Sequence, residues 1–333
     1  MTDTTHNLIP TANTVGVPPT PPEAHLQAVQ TPKKGKDLKQ DITDRIIELM
    51  QAGTAQWQKT WAVAAANGMP INATTGAPYR GVNILLLWVA TADAGYTTNR
   101  WMTYKQAQAV GANVRKGEKS VTCVFFDMIK KKEAQDDEAQ FFPMAKPFHL
   151  FNLDQIENLP AELKADEPVT TTKVFEPCDA ADDFLVASGA AITHKGGRAF
   201  YRPSTDEIYM PPREAFTTPE NYYATVLHEL THWTGHASRL DRNFSKTSRF
   251  GDESYAFEEL VAELGAAFLA GHFGFVAATV ENHASYMASW IKVLKNDKNA
   301  IFTAAKHAGA AMDYLLDIAG KTVDQRDDYK IAA

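Results

Sequence analysis

The sequence predicts an α+β protein in two parts. A small N-terminal α+β domain spans residues 37–157, and a mainly helical domain with a short β-sheet spans residues 177–322. Three observations predict this. Apolar residues recur at helical spacing in the first half but give way to two short, continuous apolar runs near its end. In the second half a hairpin signature, after one short helical run, is followed by a succession of long helical runs. Between the halves, residues 158–176 hold two prolines among many Thr, Glu and Lys residues, the composition of a linker.

Residues 1–36 contain six of the 17 prolines, many threonines and almost no aromatic residues. Such a segment buries too little apolar surface to fold, so a disordered arm is expected there, ending in Lys33-Lys34-Gly35-Lys36. Regular structure is expected from Asp37: Leu38, Ile42, Ile46, Ile47 and Met50 share one helical face, and Gly53 closes it. A loop rich in Trp, Pro, Asn and Gly follows over residues 57–81. Helices are expected over 83–94 and 103–110, the latter closed by Gly111. Residues 121–128 and 148–153 read as paired strands with a charged loop between them. The second part opens with a helix near 178–190. Strands over 199–202 and 207–210 flank the turn Pro203-Ser204-Thr205-Asp206. Thr218-Pro219-Glu220 places an N-cap before a proline at the first helical position, and a helix is expected from there to about His236. Three further helices are expected over 253–272, 278–296 and 298–320, with residues 323–333 as a tail.

Hydrophobic residues make up 44% of the 333 and charged residues 22%, the balance of a soluble globular protein. No apolar run reaches the length of a membrane-spanning helix, and the N-terminus lacks the basic and apolar regions of a signal peptide. With only Cys123 and Cys178, two reduced thiols in a cytoplasmic protein are expected, and neither can join a CxxC metal site. The net charge of −7 argues against nucleic acid at first sight. The charge is segregated, however. Residues 96–124 hold Arg100, Lys105, Arg115, Lys116 and Lys119 against Glu118 alone, while acids gather in 134–138, 162–183 and 252–263.

The sharpest motif is His228-Glu229-Leu230-Thr231-His232. Histidines at i and i+4 lie one turn apart on one helix face, so both imidazoles reach a single metal ion at about 2.0–2.1 Å. The intervening Glu229 stands beside the metal as the candidate general base. His236 is a poor third ligand: eight residues from His228, it lies about 12 Å along a straight helix. The longer pattern HExxHxxGxxH fails because Ser238 stands where its third histidine belongs. The better source is the next helix, where Glu259 and Glu263 share a face with small residues that allow close helix packing. Glu259 is favoured as the ligand, with Glu263 holding a ligand histidine from outside. The reverse assignment remains open. The expected cofactor is Zn2+, with Mn2+ or another divalent cation as the alternative. His194 and Tyr201 of the preceding hairpin are expected near the site, and Tyr255 is a candidate donor to a developing oxyanion.

The first half interleaves aromatic and basic residues: Trp57, Lys59 and Trp61; Tyr79, Arg80 and Asn83; Trp101, Tyr104 and Lys105; Arg115, Lys116 and Lys119. A positive groove lined with rings is how single-stranded nucleic acid is bound without sequence preference. The alternative is that the rings form the core and the cations solvate its face. Nothing resembles a helix-turn-helix or zinc-finger reader.

These residues also carry a family resemblance. Trp57-x-x-x-Trp61, Pro70-x-Asn72, Thr75-Gly76-x-Pro78-Tyr79-Arg80-Gly81-x-Asn83, Trp101-x-Thr103-Tyr104-Lys105-Gln106-Ala107 and Gly111-Ala112-x-Val114-Arg115-Lys116-Gly117-Glu118-Lys119 resemble the N-terminal domain of ArdC-type antirestriction proteins, shared with TraC-type plasmid primases. The run from His228 to His236, then Arg239-Leu240 and Glu258-Glu259-Leu260-Val261-Ala262-Glu263-Leu264, resembles the metallopeptidase domain that follows it in that family. The resemblance covers about residues 37–320. It implies a plasmid-encoded protein that binds single-stranded DNA non-specifically and helps incoming conjugative DNA escape restriction. It further implies a zincin fold in which a Glu from a later helix completes the site, as in the IrrE/ImmA proteases, which supports Glu259. The expected partners are single-stranded DNA and a protein substrate of unknown identity, a restriction-related protein being one candidate, with no membrane; the resemblance does not imply the peptidase's target. Two rivals stand beside this expectation. One is a DNA-binding protector whose metal site is structural, and the other is a metalloprotease whose first domain binds protein.

Overall fold

Asp37 starts the regular structure: its carboxylate accepts the Gln40 N–H at 3.2 Å and caps α1, Leu38–Gln51. The computed structural model describes residues 37–53, 68–130, 141–163, 179–242, 253–274 and 283–320. The Pro-rich arm, Trp57 and Trp61, the charged loop after residue 130, the linker from residue 164 on, Cys178 and the tail lie outside the described residues.

After α1 come β1 (Ile71–Asn72), α2 (Val82–Ala94), β2 (Arg100–Met102), α3 (Tyr104–Ala109) and β3 (Asn113–Val114). β4 (Val121–Lys130), β5 (Phe141–Asn152) and β6 (Ile156–Glu157) complete the first half. A four-stranded sheet runs β1-β2-β5-β4; β1 is parallel to β2, and the other neighbours are antiparallel. β3 and β6 form a separate antiparallel pair. The helices match the expected positions, and β4 does so to within two residues, but β5 begins at Phe141, seven residues before the strand expected over 148–153. The short strands β1, β2, β3 and β6 were not expected, because two or three residues carry no period.

Several residues expected to touch DNA are instead structural. Trp101 is fully buried and Tyr79 is 5% exposed; with Leu87, Cys123 and Leu150 they form a small apolar cluster between the sheet and α2. Asn83 is buried and brackets the β4 backbone, donating to Val124 O at 2.7 Å and accepting from Val124 N at 2.9 Å. These three are corrected: their polar or aromatic groups face the interior, where no base can stack. Arg80 lies at the surface but pairs with Asp313 near the C-terminal end of the chain. Tyr104, Lys105, Arg115, Lys116 and Lys119 are exposed, with Arg115 paired to Glu118 at 2.7 Å. Thr103 and Gln106 form a capping box at the start of α3.

The second half begins with α4 (Asp179–Ala187) and a sheet of β7 (Ala191–His194), β8 (Phe200–Arg202) and β9 (Glu207–Met210) in the order β7-β9-β8. β8 and β9 are the expected hairpin. β7, parallel to β9, was not expected, being short and mostly exposed. Helices α5 (Pro219–Thr234), α6 (Glu253–Phe273), α7 (His283–Asn296) and α8 (Ala300–Ile318) follow. Thr218 caps α5 by accepting the Asn221 N–H, with Pro219 at the first position as expected.

α6 is apolar on nearly every side, the mark of a helix enclosed by others. Glycines let neighbours close on it. A Cβ at Gly265 would lie 2.5 Å from Thr231 Cγ2 of α5, and one at Gly271 would lie 2.6 Å from Trp88 Cζ2 of α2. The main core is continuous through both halves: Ile46, Ile84, Trp88 and Val124 belong to the same cluster as Leu227, Phe268, Trp290 and Leu315. Among the described residues, no helix is long and apolar enough to cross a membrane.

Candidate metal centre

α5 carries the histidines and α6 the carboxylates, and the Thr231–Gly265 approach sets the distance between them. His228 Nε2 and His232 Nε2 face each other at 3.2 Å. Glu259 inserts between them, with Oε2 3.5 Å from His228 Nε2 and Oε1 3.6 Å from His232 Nε2. One donor atom from each of the three lies within 4.8 Å of the others, so a single cation fits among them. Two imidazole nitrogens this close repel one another when both carry protons, and the carboxylate between them supplies negative charge. This donor set, nitrogen and oxygen with no thiolate, suits a divalent ion of intermediate hardness.

The outer ring nitrogens face further carboxylates. Glu263 Oε2 is 3.8 Å from His228 Nδ1, on the side away from Glu259. Glu258 Oε1 is 3.3 Å from His232 Nδ1. Glu258 was missed in the sequence, because it is next to Glu259 and helical geometry turns adjacent residues to different directions. Burial pushes both histidines down, but the carboxylates outweigh it and raise them. Burial likewise pushes Glu259 up, and the two imidazoles outweigh it, holding its carboxyl far below the usual range. The pocket therefore favours positive charge strongly.

Glu229 is 8% exposed and is held by the hairpin: the Tyr201 backbone N–H donates to Oε2 at 2.8 Å. The Tyr201 ring turns away, its hydroxyl donating to Asp206 Oδ1 at 2.8 Å. Tyr255, from the first turn of α6, lies 3.3 Å from the Tyr286 hydroxyl of α7, and burial, that hydroxyl and the Glu259 charge all raise its phenol above the ordinary value. Tyr286 was missed, since nothing in its sequence neighbourhood marks it. His194 bonds to Tyr222 at 3.0 Å and stacks on its ring. His236 bonds to Ser238 at 2.8 Å and stays outside the cluster, lying beyond the end of α5 at Thr234 rather than further along it.

Comparison with known proteins bears on both halves. Residues 36–151 match the family model of the N-terminal domain of anti-restriction factor ArdC, and residues 179–307 match that of a zincin-like metallopeptidase. The fold is similar to the antirestriction ArdC protein from plasmid R388 in its metal-free structure, with a TM-score of 0.72 and 42% identity, covering 87% of this chain and 100% of that one. The Mn(II)-bound structure of the same protein matches with a TM-score of 0.69 and 42% identity, covering 85% of this chain and 98% of that one. The chain is also 40% identical over 308 residues to a DNA primase TraC of Escherichia coli, covering 87% of this chain but only 20% of the primase. It thus spans about a fifth of that relative's length. It is 36% identical over 295 residues to the uncharacterized protein y4eC of Sinorhizobium fredii, covering 86% of this chain and 94% of the relative. With both halves matched and an ArdC protein covered from end to end, the chain belongs to the ArdC antirestriction family.

Proposed function

We propose that this protein is a cytoplasmic plasmid antirestriction factor that binds single-stranded DNA without sequence preference and carries a divalent-metal peptidase site. The observation that carries the peptidase reading is the convergence of His228, His232 and Glu259 beside a separately held Glu229. Zn2+ or Mn2+ on the three ligands supplies Lewis acidity. With Oε2 engaged by Tyr201, Glu229 has Oε1 to take a proton from water and return it to the leaving amine. The Tyr255 hydroxyl donates to the oxygen on which charge develops. The edge strand β8, whose backbone already touches Glu229, aligns an extended peptide. The substrate is a protein, and a restriction-related one is the favoured class.

Single-strand binding rests on what remains exposed in the first half. Tyr104 is 52% exposed at the start of α3, with Lys105 beside it. Arg115, Lys116 and Lys119 are exposed on the segment that β3 and the paired β6 support. A stacked ring contributes about 1–3 kcal/mol, and each phosphate contact steepens the salt dependence.

The test runs two assays on the full chain. Single-strand affinity is titrated against salt for wild type, Tyr104→Ala and the combined Lys105→Ala, Lys116→Ala and Lys119→Ala variant. Plasmid transfer into a restricting host is measured for Glu229→Ala. Tyr104→Ala is expected to weaken binding about 5–100-fold at every salt concentration, and the lysine variant to flatten the salt slope. Glu229→Ala is expected to keep its metal and lose protection. Unchanged affinity in both first-half variants would refute the DNA reading, and full protection by Glu229→Ala would leave the metal site no peptidase role in antirestriction.

A further inference from the structure

Glu258 is itself gripped. Its Oε1 and Oε2 accept from Arg242, at 2.9 Å from Nη2 and 3.3 Å from Nε. The Arg242 side chain is 1% exposed. Its remaining donors reach the last turn of α5, Nη1 to Thr234 Oγ1 at 2.6 Å and Nη2 to Thr231 O at 2.6 Å. One buried guanidinium therefore joins the end of the helix that bears both histidines to the carboxylate facing His232 from α6.

The chain is shaped around this guanidinium. Beyond α5 it doubles back through Leu240 N to Thr234 O at 3.1 Å, Asp241 N to His236 O at 3.1 Å and Arg242 N to Gly235 O at 3.0 Å. Asp241 adopts a left-handed φ of 45° to make the reversal. A Cβ at Gly235 would lie 3.0 Å from Arg242 Nη2, so this position is tight for any side chain. Burying a guanidinium is costly unless its donors are met, and here Nε, Nη1 and Nη2 all are. The two sides of the site differ in this respect. His232 has consecutive glutamates at its two nitrogens, Glu259 at Nε2 and Glu258 at Nδ1. His228 has Glu263 at Nδ1 only at 3.8 Å, beyond hydrogen-bonding distance.

We propose that Arg242 and Glu258 are positioning residues that set the divalent-metal affinity of the site. The carboxylate held by Arg242 accepts the Nδ1 proton of His232. That fixes the tautomer whose Nε2 presents a lone pair, and it locks the ring towards His228 and Glu259. The inference rests on the metal reading of the triad.

The test uses the full chain stripped with a chelator. Mn2+ and Zn2+ are titrated separately against a competing chelator, and the visible spectrum is recorded after loading with Co2+. Glu258→Leu is expected to bind each metal about 10–100-fold more weakly and to change the Co2+ spectrum. Glu258→Gln keeps an acceptor for Nδ1 but not the charge that holds Arg242, and is expected to fall between. Arg242→Met is expected to weaken binding, and to add little in the Glu258→Leu background because both act through one path. A purely structural pair would lower the unfolding midpoint and leave the affinity and Co2+ spectrum of the folded protein unchanged. Should Arg242→Met fail to fold, the two Glu258 variants decide the matter. Glu258→Leu within twofold of wild type, with an unaltered Co2+ spectrum, overturns the proposal. His228→Ala separates the two levels. If wild type binds metal and His228→Ala does not, the triad stands whatever Glu258 does; if neither differs from background, the metal reading itself has failed.

Discussion

Asp206 shows how single residues hold the hairpin that presents Tyr201 to Glu229. It sits in the turn between β8 and β9 with a left-handed φ of 55°, which aspartate tolerates better than most residues. It accepts from the Tyr201 hydroxyl and is paired with Arg239, whose guanidinium packs 3.7 Å from the Trp233 ring centroid. Arg239 holds the Asp206 carboxyl below its ordinary value. A depressed carboxylate contributes stability that is complete above its unfolded value near pH 4 and is lost as pH falls through the folded one. Asp206→Asn keeps the turn but removes the charge. It is expected to cost about 1 kcal/mol at pH 7, a modest value because Asp206 is more than a third exposed. The gap should narrow as pH falls below about 4; urea unfolding at pH 7 and at about pH 3 checks this, and an equal gap at both contradicts it. At this scale the sequence was only partly legible. The pairing of His228 with His232, and of Glu259 with Glu263, could be read because helical spacing puts each pair on one face; the choice between the two glutamates could not, since they share that face. Tyr79, Trp101 and Asn83 could not, since an aromatic or amide residue looks the same in sequence whether it lines a groove or fills a core. Glu258 could not either, because its role depends on the chain reversal that returns Arg242 to α5.

Among the elements, α5 and α6 make the site by lying close together. Gly265 permits it: the Cβ of an alanine would fall 2.7 Å from Thr231 Oγ1, and that hydroxyl is fixed by donation to Leu227 O at 2.8 Å. A fully buried, β-branched Thr231 has little freedom to turn aside. Gly265→Ala is therefore expected to force the helices apart and cost about 1–3 kcal/mol through overpacking, more than alanine's helix preference of about 1 kcal/mol restores. It should also weaken Mn2+ binding, because His228 and His232 move away from Glu259. Chemical unfolding joined to a metal titration measures both, and Thr231→Ala in the same chain should recover part of each loss. The helices were legible mainly from period: Thr218 caps where the sequence indicates, and Asp37 and Thr103 turn out to cap the helices expected to begin at them. The two-residue strands and β7 were not, since they exist through their partners rather than through any pattern of their own.

Across the whole molecule, the first half does not close its main core alone. Ile46, Trp88 and Val124 are covered in common with Phe268, Trp290 and Leu315, and Arg80 ties the loop before α2 to Asp313 on α8. Full-length protein is expected to unfold by heat in one cooperative step, with calorimetric and van't Hoff enthalpies agreeing. A piece ending at residue 157 should lack a fixed near-ultraviolet tryptophan signal. A sharp transition from that piece would mean that the smaller clusters around Met102 and Trp101 suffice to hold it. Periodicity tells which side chains are buried but not which segment covers them, so this sharing could not be read from the chain.

Gly271 gives that sharing a thermodynamic consequence. Trp88 of the first half rests against α6 eight residues beyond Glu263, about 12 Å along the helix axis. The carboxylates and the indole seat belong to one rigid rod. A ligand of the first half that preferred one setting of Trp88 would bias the position of that rod, and so would an ion between the histidines that preferred one position of it. Reciprocity then requires that each change the other's dissociation constant by the same factor. The metal content of a preparation would belong among the stated conditions of any strand-binding measurement, beside its salt.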